Sequence, residues 1–431
     1  MTIRKLYLTI LLSICMLTGL KDLIGQSSTN SPYSRFGIGM LDNQKSNVIS
    51  KSMGGIGQGV FSRTFINPMN PASYAAFDTL SFHFDGAVSA SILSLKSANN
   101  SASANSGSVD YLTFGFPINR FWRASFGLLP FSNVTYDVLK VRDGGDNIGS
   151  INQIYNGSGG FNQVYIGSGF KVMPNLFVGF NAYYVFGSIA RARELGVPEQ
   201  NNAYETRVTE KLRASDYYFD FGVQYFRNLK DDLKLGMGAT FSPQNQLSAK
   251  RDYFAYNFQK SGTGLEKNQD TIISRPEEKG NMKFPLNFGL GFSIEKDRNW
   301  MIGTDFTYAN WKNYSSFGQS FSTIKDSWSF KVGGYWLPDN RSIANFLNRS
   351  IYRVGFHYGD SYYKINNQSI PEYGINFGVS FPFRKNQSSI NLGIEYGGLG
   401  KAVDNLVKES YFKFSLGISI HEKWFVKYKY Y

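Results

Sequence analysis

Side chains able to do chemistry are few and scattered in this chain of 431 residues. The three histidines, His83, His357 and His421, stand far apart without metal-ligand spacing, and Cys15, the only cysteine, sits inside the first apolar run. Neither a metal site nor a thiolate nucleophile is expected, no catalytic residue stands out, and no cofactor is implied. Gly54, Gly55, Gly57 and Gly59 superficially resemble a dinucleotide loop, but the strand and helix that such a loop joins are missing around them. A hydrolase built on a sheet would need a Ser and a His on neighbouring strands at one rim, an arrangement that sequence spacing does not decide. The formal charge of +13 is spread along the chain with no dense basic cluster, which speaks against nucleic acid as a partner. Attraction to anionic lipid or lipopolysaccharide is the expected consequence, on a periphery that is otherwise simply solvated.

What the chain does carry is an unusual stretch from Met53 to Phe77. Its first half is glycine-rich, and its second half contains the doubled motif Asn67-Pro68-Met69-Asn70-Pro71-Ala72. Glycine opens backbone angles closed to other residues, while each proline removes a donor and holds the preceding residue extended. Phe61, Phe65, Ile66, Met69, Tyr74 and Phe77 make the stretch too apolar for a solvated linker. It reads as a compact plug packed inside an enclosing structure, the alternative being a pair of surface turns.

The enclosing structure is legible from residue 80 onward. Phe82, Phe84, Val88 and Ile92 alternate with Ser81, His83, Asp85, Ser89 and Ser91, and the same rhythm recurs in Leu286 to Ile294, Ile302 to Tyr308, Tyr373 to Phe381 and Phe412 to Ile420. The second face is Gly, Ser, Asn and Thr with isolated charges, unlike the Lys- and Glu-rich outer face of a soluble sandwich. Apolar residues facing lipid and small ones facing a filled interior fit this pattern, with Trp122, Trp300, Trp311, Trp328 and Trp336 as interfacial aromatics. After residue 25 no run of roughly 20 apolar residues offers a membrane-spanning helix.

The expected fold is therefore all-β: a transmembrane antiparallel β-barrel of about fourteen strands over residues 80–420, with the N-terminal hatch of residues 26–79 inside its lumen. Expected strands are 80–94, 109–117, 121–131, 161–172, 175–189, 214–227, 231–243, 283–295, 299–311, 327–337, 350–360, 372–383, 388–397 and 409–420. Tight connections such as Met173-Pro174 alternate with long ones such as 132–160 and 242–282, the asymmetry of periplasmic turns and outer loops. Residues 26–52 are expected on the periplasmic side or in the lumen. Residues 421–431, where Lys423, Lys427 and Lys429 alternate with Trp424, Val426 and Tyr428, read as a periplasmic tail, with a last strand as the competing assignment. At the other end, Arg4, Lys5 and an apolar run to Leu20 read as a secretory signal peptide over residues 1–25. Outer-membrane localisation follows, and the mature chain then lacks cysteine.

With these features in view, Asn70-Pro71-Ala72 resembles the Asn-Pro-Ala signature of the FadL family of outer-membrane barrels. Phe284-Pro285 entering an alternating strand, Asn299-Trp300, Asp305 to Trp311 and Tyr352 to Phe356 are similar to that family's later strands. The resemblance implies a lumenal hatch containing Asn67, Pro68, Asn70, Pro71 and Ala72, and passive uptake of long-chain fatty acids or other hydrophobic small molecules. It implies an apolar pocket, for which Phe61, Phe65 and Phe77 are candidates, the alternative being that they pack hatch against wall. Lys331 or Arg353 would grip a carboxylate head group, the alternative being that lumen charges pair with one another or with the hatch. It also implies a lateral gate where the third strand kinks, for which Pro130 is the candidate; a plain strand end at the rim would equally explain a proline there. The alternative is a barrel of the same fold serving as a structural subunit or shuttle of a protein export or assembly complex, as the FadL-related shuttle of type 9 secretion does. Long outer loops and a basic tail would then meet other outer-membrane or surface proteins.

Overall fold

The computed structural model describes residues 31–41, 45–98, 100–145, 149–198, 203–230, 232–260, 266–296, 299–339, 341–342, 345–383, 387–402 and 406–423. The expected signal peptide and residues 424–431 of the expected tail lie outside these.

Fourteen strands follow the alternating segments in order and close on themselves: β1 (Ser81–Lys96), β2 (Ser101–Pro117), β3 (Trp122–Asn133), β4 (Ser150–Met173), β5 (Leu176–Gly196), β6 (Glu205–Lys230), β7 (Leu233–Ser242), β8 (Asn287–Lys296), β9 (Trp300–Ala309), β10 (Ser327–Trp336), β11 (Ile351–Ile365), β12 (Gln368–Pro382), β13 (Ser389–Leu399) and β14 (Lys408–Lys423). Every neighbouring pair is antiparallel, and β14 closes the ring against β1, with His83 opposite His421 and Val88 opposite Leu416. Alternation decides which face goes where. In β1, Ser81, His83 and Asp85 are buried, whereas Val88 and Ile92 are half exposed. The same inside-out order runs through Phe292, Ile302, Val354, Phe377 and Phe414, all strongly exposed. In water these side chains would be a liability; facing hydrocarbon they form the apolar band of a membrane barrel.

Three expectations change. First, the last strand runs to Lys423 rather than ending at Ile420, because Ser81, Phe82 and His83 supply ladder partners for Lys423, Glu422 and His421. Second, the long connections are largely sheet. Residues Asn245–Lys260 and Glu266–Phe284 form a hairpin that pairs with the upper part of β6, from Phe258 opposite Glu205 to Ala249 opposite Ala214. Tyr136–Asp143 pairs likewise with Ser150–Gly157 at the start of β4. The 26 residues of β6, at about 3.3 Å each and tilted near 45°, rise on the order of 60 Å, about twice the ~30 Å of hydrocarbon. Ion pairs lace the projecting sheet: Arg207 meets Glu194 and Glu266 at 2.7 Å, and Lys260 meets Glu194 at 2.6 Å and Glu205 at 2.8 Å. Third, residues 26–52 divide: Asn47–Ser52 lie in the lumen as one of the two expectations has it, whereas the lead Ser31–Leu41 sits at the outer mouth and not on the periplasmic side. Ser31 Oγ donates to Glu409 and Tyr33 OH to Val407 O, both at the end of the barrel that carries the long connections. From Ser31 at the outer mouth the described chain thus runs down the lumen and leaves it at the short-turn end to begin β1.

Candidate functional site

The lumen is occupied from both ends. Near the outer mouth, Pro32–Arg35 forms a short 3-10 turn capped by Ser31, and the following residues reach β3 by antiparallel pairing of Met40 with Asn133 and Leu41 with Ser132. Tyr33, Ile38, Trp311, Tyr314, Tyr362 and Tyr363 belong to one buried cluster roofing this end. Tyr363 OH donates to Gly39 O at 2.8 Å, and Ser34 Oγ to Thr135 O at 3.1 Å. Burial, with Glu409 beside it, pushes the Tyr33 hydroxyl up to about 12, so it remains a donor to Val407 O.

Towards the short-turn end, residues 47–77 form the plug. Asn47 caps the single helical turn Val48–Lys51 and donates to Ile66 O at 2.8 Å. The two Asn-Pro asparagines fold back on the glycine half: Asn67 Nδ2 donates to Gly57 O at 2.7 Å, and Asn70 Nδ2 to Gln58 O at 2.9 Å. Asn70 also donates to Val223 O of β6 at 3.2 Å, while its Oδ1 accepts from Ala72 N at the start of the 3-10 turn Pro71–Ala76. Pro68 O accepts from Asn181 of β5, and Pro71 and Ala72 lie against Gly179 of the same strand. Every backbone group so held is one that a buried irregular segment must otherwise leave unpaired.

The wall answers with carboxylates, amides and gaps. Asp305 of β9 accepts from Gly57 N at 2.6 Å and Gln58 N at 2.9 Å; Gln224 of β6 donates to Gln58 O and Val60 O; Ser293 of β8 donates to Gly59 O. Lumen-facing glycines give the plug room. A Cβ on Gly333 or Gly355 would strike Met53 or Gly54 backbone, and one on Gly238 would strike Gln58 O. One on Gly179 would sit 2.5 Å from Pro71 O. Small residues on the inner face are thus the imprint of a backbone lying directly on the sheet.

Of the other candidates, Phe61 packs on Phe226 and Phe177 with ring centroids 4.3 and 5.6 Å away. Phe65 is buried with Met301, and Phe77 stacks on His83 at 4.4 Å. All three join plug to wall and do not line the cavity described next. Arg353 is buried against Ser380 Oγ, also away from it. Lys331 and Pro130 do line it.

Between plug and outer roof is a cavity of about 440 Å³. Met40, Leu41, Phe131, Leu247, Phe284 and Trp311 line one part; Lys45, Lys51, Asp110, Asp220, Lys331, Glu395 and Lys413 line another. Asp110 bridges Lys51 at 3.2 Å and Lys413 at 3.4 Å, and Lys45 meets Asp220 at 2.5 Å. Sequence alternation missed Asp110 because it is the extra residue of a bulge: Val109 lies opposite Val88 but Tyr111 opposite Ala87. Lys45 and Lys51 were missed because the plug has no periodicity to place them.

Beside the cavity the wall divides. β2 and β3 pair only from Pro117 opposite Arg123 to Leu112 opposite Leu128; above that, β3 bulges between Pro130 and Ser132 against β4. Met40 and Leu41 occupy part of the edge of β3 left by β2.

Comparison with known structures gives the same barrel. The Pseudomonas putida toluene transporter TodX aligns with a TM-score of 0.57 at 16% identity, over 89% of this chain and 100% of that one. The Ralstonia pickettii toluene transporter TbuX aligns at 0.54 and 14%, covering 88% and 98%, and a Pseudomonas aeruginosa FadL homologue at 0.55 and 12%, covering 88% and 98%. At these identities the likeness is one of fold. No curated protein matches in sequence. A family model named BamG matches residues 2–431.

Proposed function

Since the chain belongs to the BamG family, we propose that it is a FadL-fold outer-membrane barrel acting as a structural subunit of a protein assembly or export complex rather than as a conduit. The observation that carries this reading is the occupation of the lumen from both ends. The plug rests with its backbone on the wall, and the outer mouth is roofed by Ser31–Leu41 together with Trp311 in the turn after β9 and Tyr362 and Tyr363 near the end of β11. The space left between them is lined in part by fixed ion pairs, an expensive surface for a hydrocarbon to displace. Above the membrane the wall continues as a charged sheet, which gives partners a rigid surface.

A second reading has its own support. The division between β2 and β3 adjoins the cavity at Val109 and Pro130, and proteins of the same fold are named as transporters. On that reading a long-chain fatty acid or other hydrophobic small molecule would pass sideways there, with Lys331 near its head group and the plug as the gate.

Depletion of the protein separates the two. The subunit reading expects other outer-membrane proteins to fall in abundance, with uptake of hydrophobic compounds following only secondarily. An unchanged outer-membrane proteome with selective loss of fatty-acid or aromatic-hydrocarbon uptake would overturn it in favour of transport.

A further inference from the structure

The division in the wall widens upward into a V whose two arms are sheet edges. On one side is Ser101–Asp110 of β2, paired only with β1. On the other is Asp137–Asp143, which continues the wall above β3 and is paired only with the start of β4. Among the described residues, neither edge has a ladder partner across the V.

An exposed edge is a template for another strand, and natural proteins guard it with charge, proline or cover. This one is already used at its apex, where Met40 and Leu41 add to β3 as a two-residue strand. Further up, Leu139 and Val141 are 59% and 58% exposed, at the centre of the face turned away from buried Tyr136 and flanked on it by the exposed Asp137 and Asp143. Lys140 and Arg142 occupy the opposite face and are also exposed. An edge presenting apolar residues on one face and two cations on the other matches a strand with the complementary order.

We infer that the V between β2 and Tyr136–Asp143 is a docking site for an extended segment of a partner polypeptide, alternating apolar with acidic residues, which adds to the Asp137–Asp143 edge. This rests on the subunit reading and gives it a surface. Leu139 and Val141 would face apolar side chains, and Lys140 and Arg142 would face the acidic ones, across the short distances of cross-strand pairs.

The test places a photo-crosslinking amino acid at Leu139 or Val141 in the full-length protein in cells, with Ile302 on the lipid-facing wall as control, followed by extraction in mild detergent. The expected result is an adduct to a stoichiometric co-purifying protein, mapping to a segment of alternating apolar and acidic residues. The paired substitutions Lys140→Glu and Arg142→Glu should reduce that adduct at least tenfold, while the heat-modifiable mobility of the barrel stays unchanged. A partner that co-purifies but crosslinks elsewhere, or is indifferent to charge reversal, would overturn the docking site and leave the subunit reading standing. Absence of any co-purifying protein would overturn both.

Discussion

Asp305 of β9 accepts the backbone N–H of Gln58 at 2.9 Å, and the same oxygen accepts that of Gly57 at 2.6 Å. One wall carboxylate thereby holds the tightest part of a segment that has almost no regular structure of its own. Directly across the ladder stands Lys331. Replacing Asp305 by Ala leaves two buried donors unpaired, which costs about 2–5 kcal/mol. The expected outcome is a lower unfolding temperature in detergent, with new protease cleavage near Arg63; unchanged protease resistance would show that the plug is held elsewhere.

Asn70 joins three things at once: Gln58 of the plug, Val223 of the wall and the start of the Pro71–Ala76 turn. Asn70→Ala should therefore cost about 1–3 kcal/mol, more than an exposed substitution such as Ile302→Ala. Asn70→Asp should be no better, since a carboxylate cannot donate to the two carbonyls. The check is thermal unfolding of the three variants side by side.

The glycine-lined wall makes a sharper prediction. Gly355→Val and Gly238→Val put side chains where the plug backbone lies, yet both positions sit in ordinary strands. The barrel should still close and keep its heat-modifiable mobility, while the plug is displaced and ion conductance in a planar bilayer rises. Loss of the barrel itself, or wild-type conductance, would contradict the close approach.

At the outer mouth the Tyr33 hydroxyl is raised by burial and by Glu409 to about 12, from an ordinary value of 10. A raised folded-state value means that the neutral hydroxyl's contribution is complete below pH 10 and is lost as pH climbs towards 12. Wild type should be more stable than Tyr33→Phe below pH 10, and the difference should shrink to nothing by pH 12. Parallel thermal melts across that window provide the measurement.

Alternation made the barrel legible because every membrane strand must sort lipid-facing from lumen-facing residues, as Phe82 and His83 or Phe414 and Lys413 do. Above the membrane that constraint ends. Asn245–Lys260 and Glu266–Phe284 read as loop because both faces carry charge, and their pairing depends on the neighbouring β6. The plug was legible as irregular and apolar, but not in its contacts. Nothing in the spacing of Asn67 and Asn70 says that they return to Gly57 and Gln58, ten and twelve residues earlier. Phe61, Phe65 and Phe77 were open to two readings, pocket lining or packing of hatch on wall, and their ring contacts with Phe177, Phe226 and His83 and the burial of Phe65 with Met301 are those of packing.

A barrel stoppered at both ends and working as a subunit should be found with its partners. Native mass spectrometry of the full-length protein, extracted from its own outer membrane in mild detergent, tests this most directly. The expected result is a stoichiometric complex with at least one other protein and no hydrophobic small molecule retained in the cavity. A solitary barrel carrying a bound fatty acid or aromatic hydrocarbon would contradict the subunit reading.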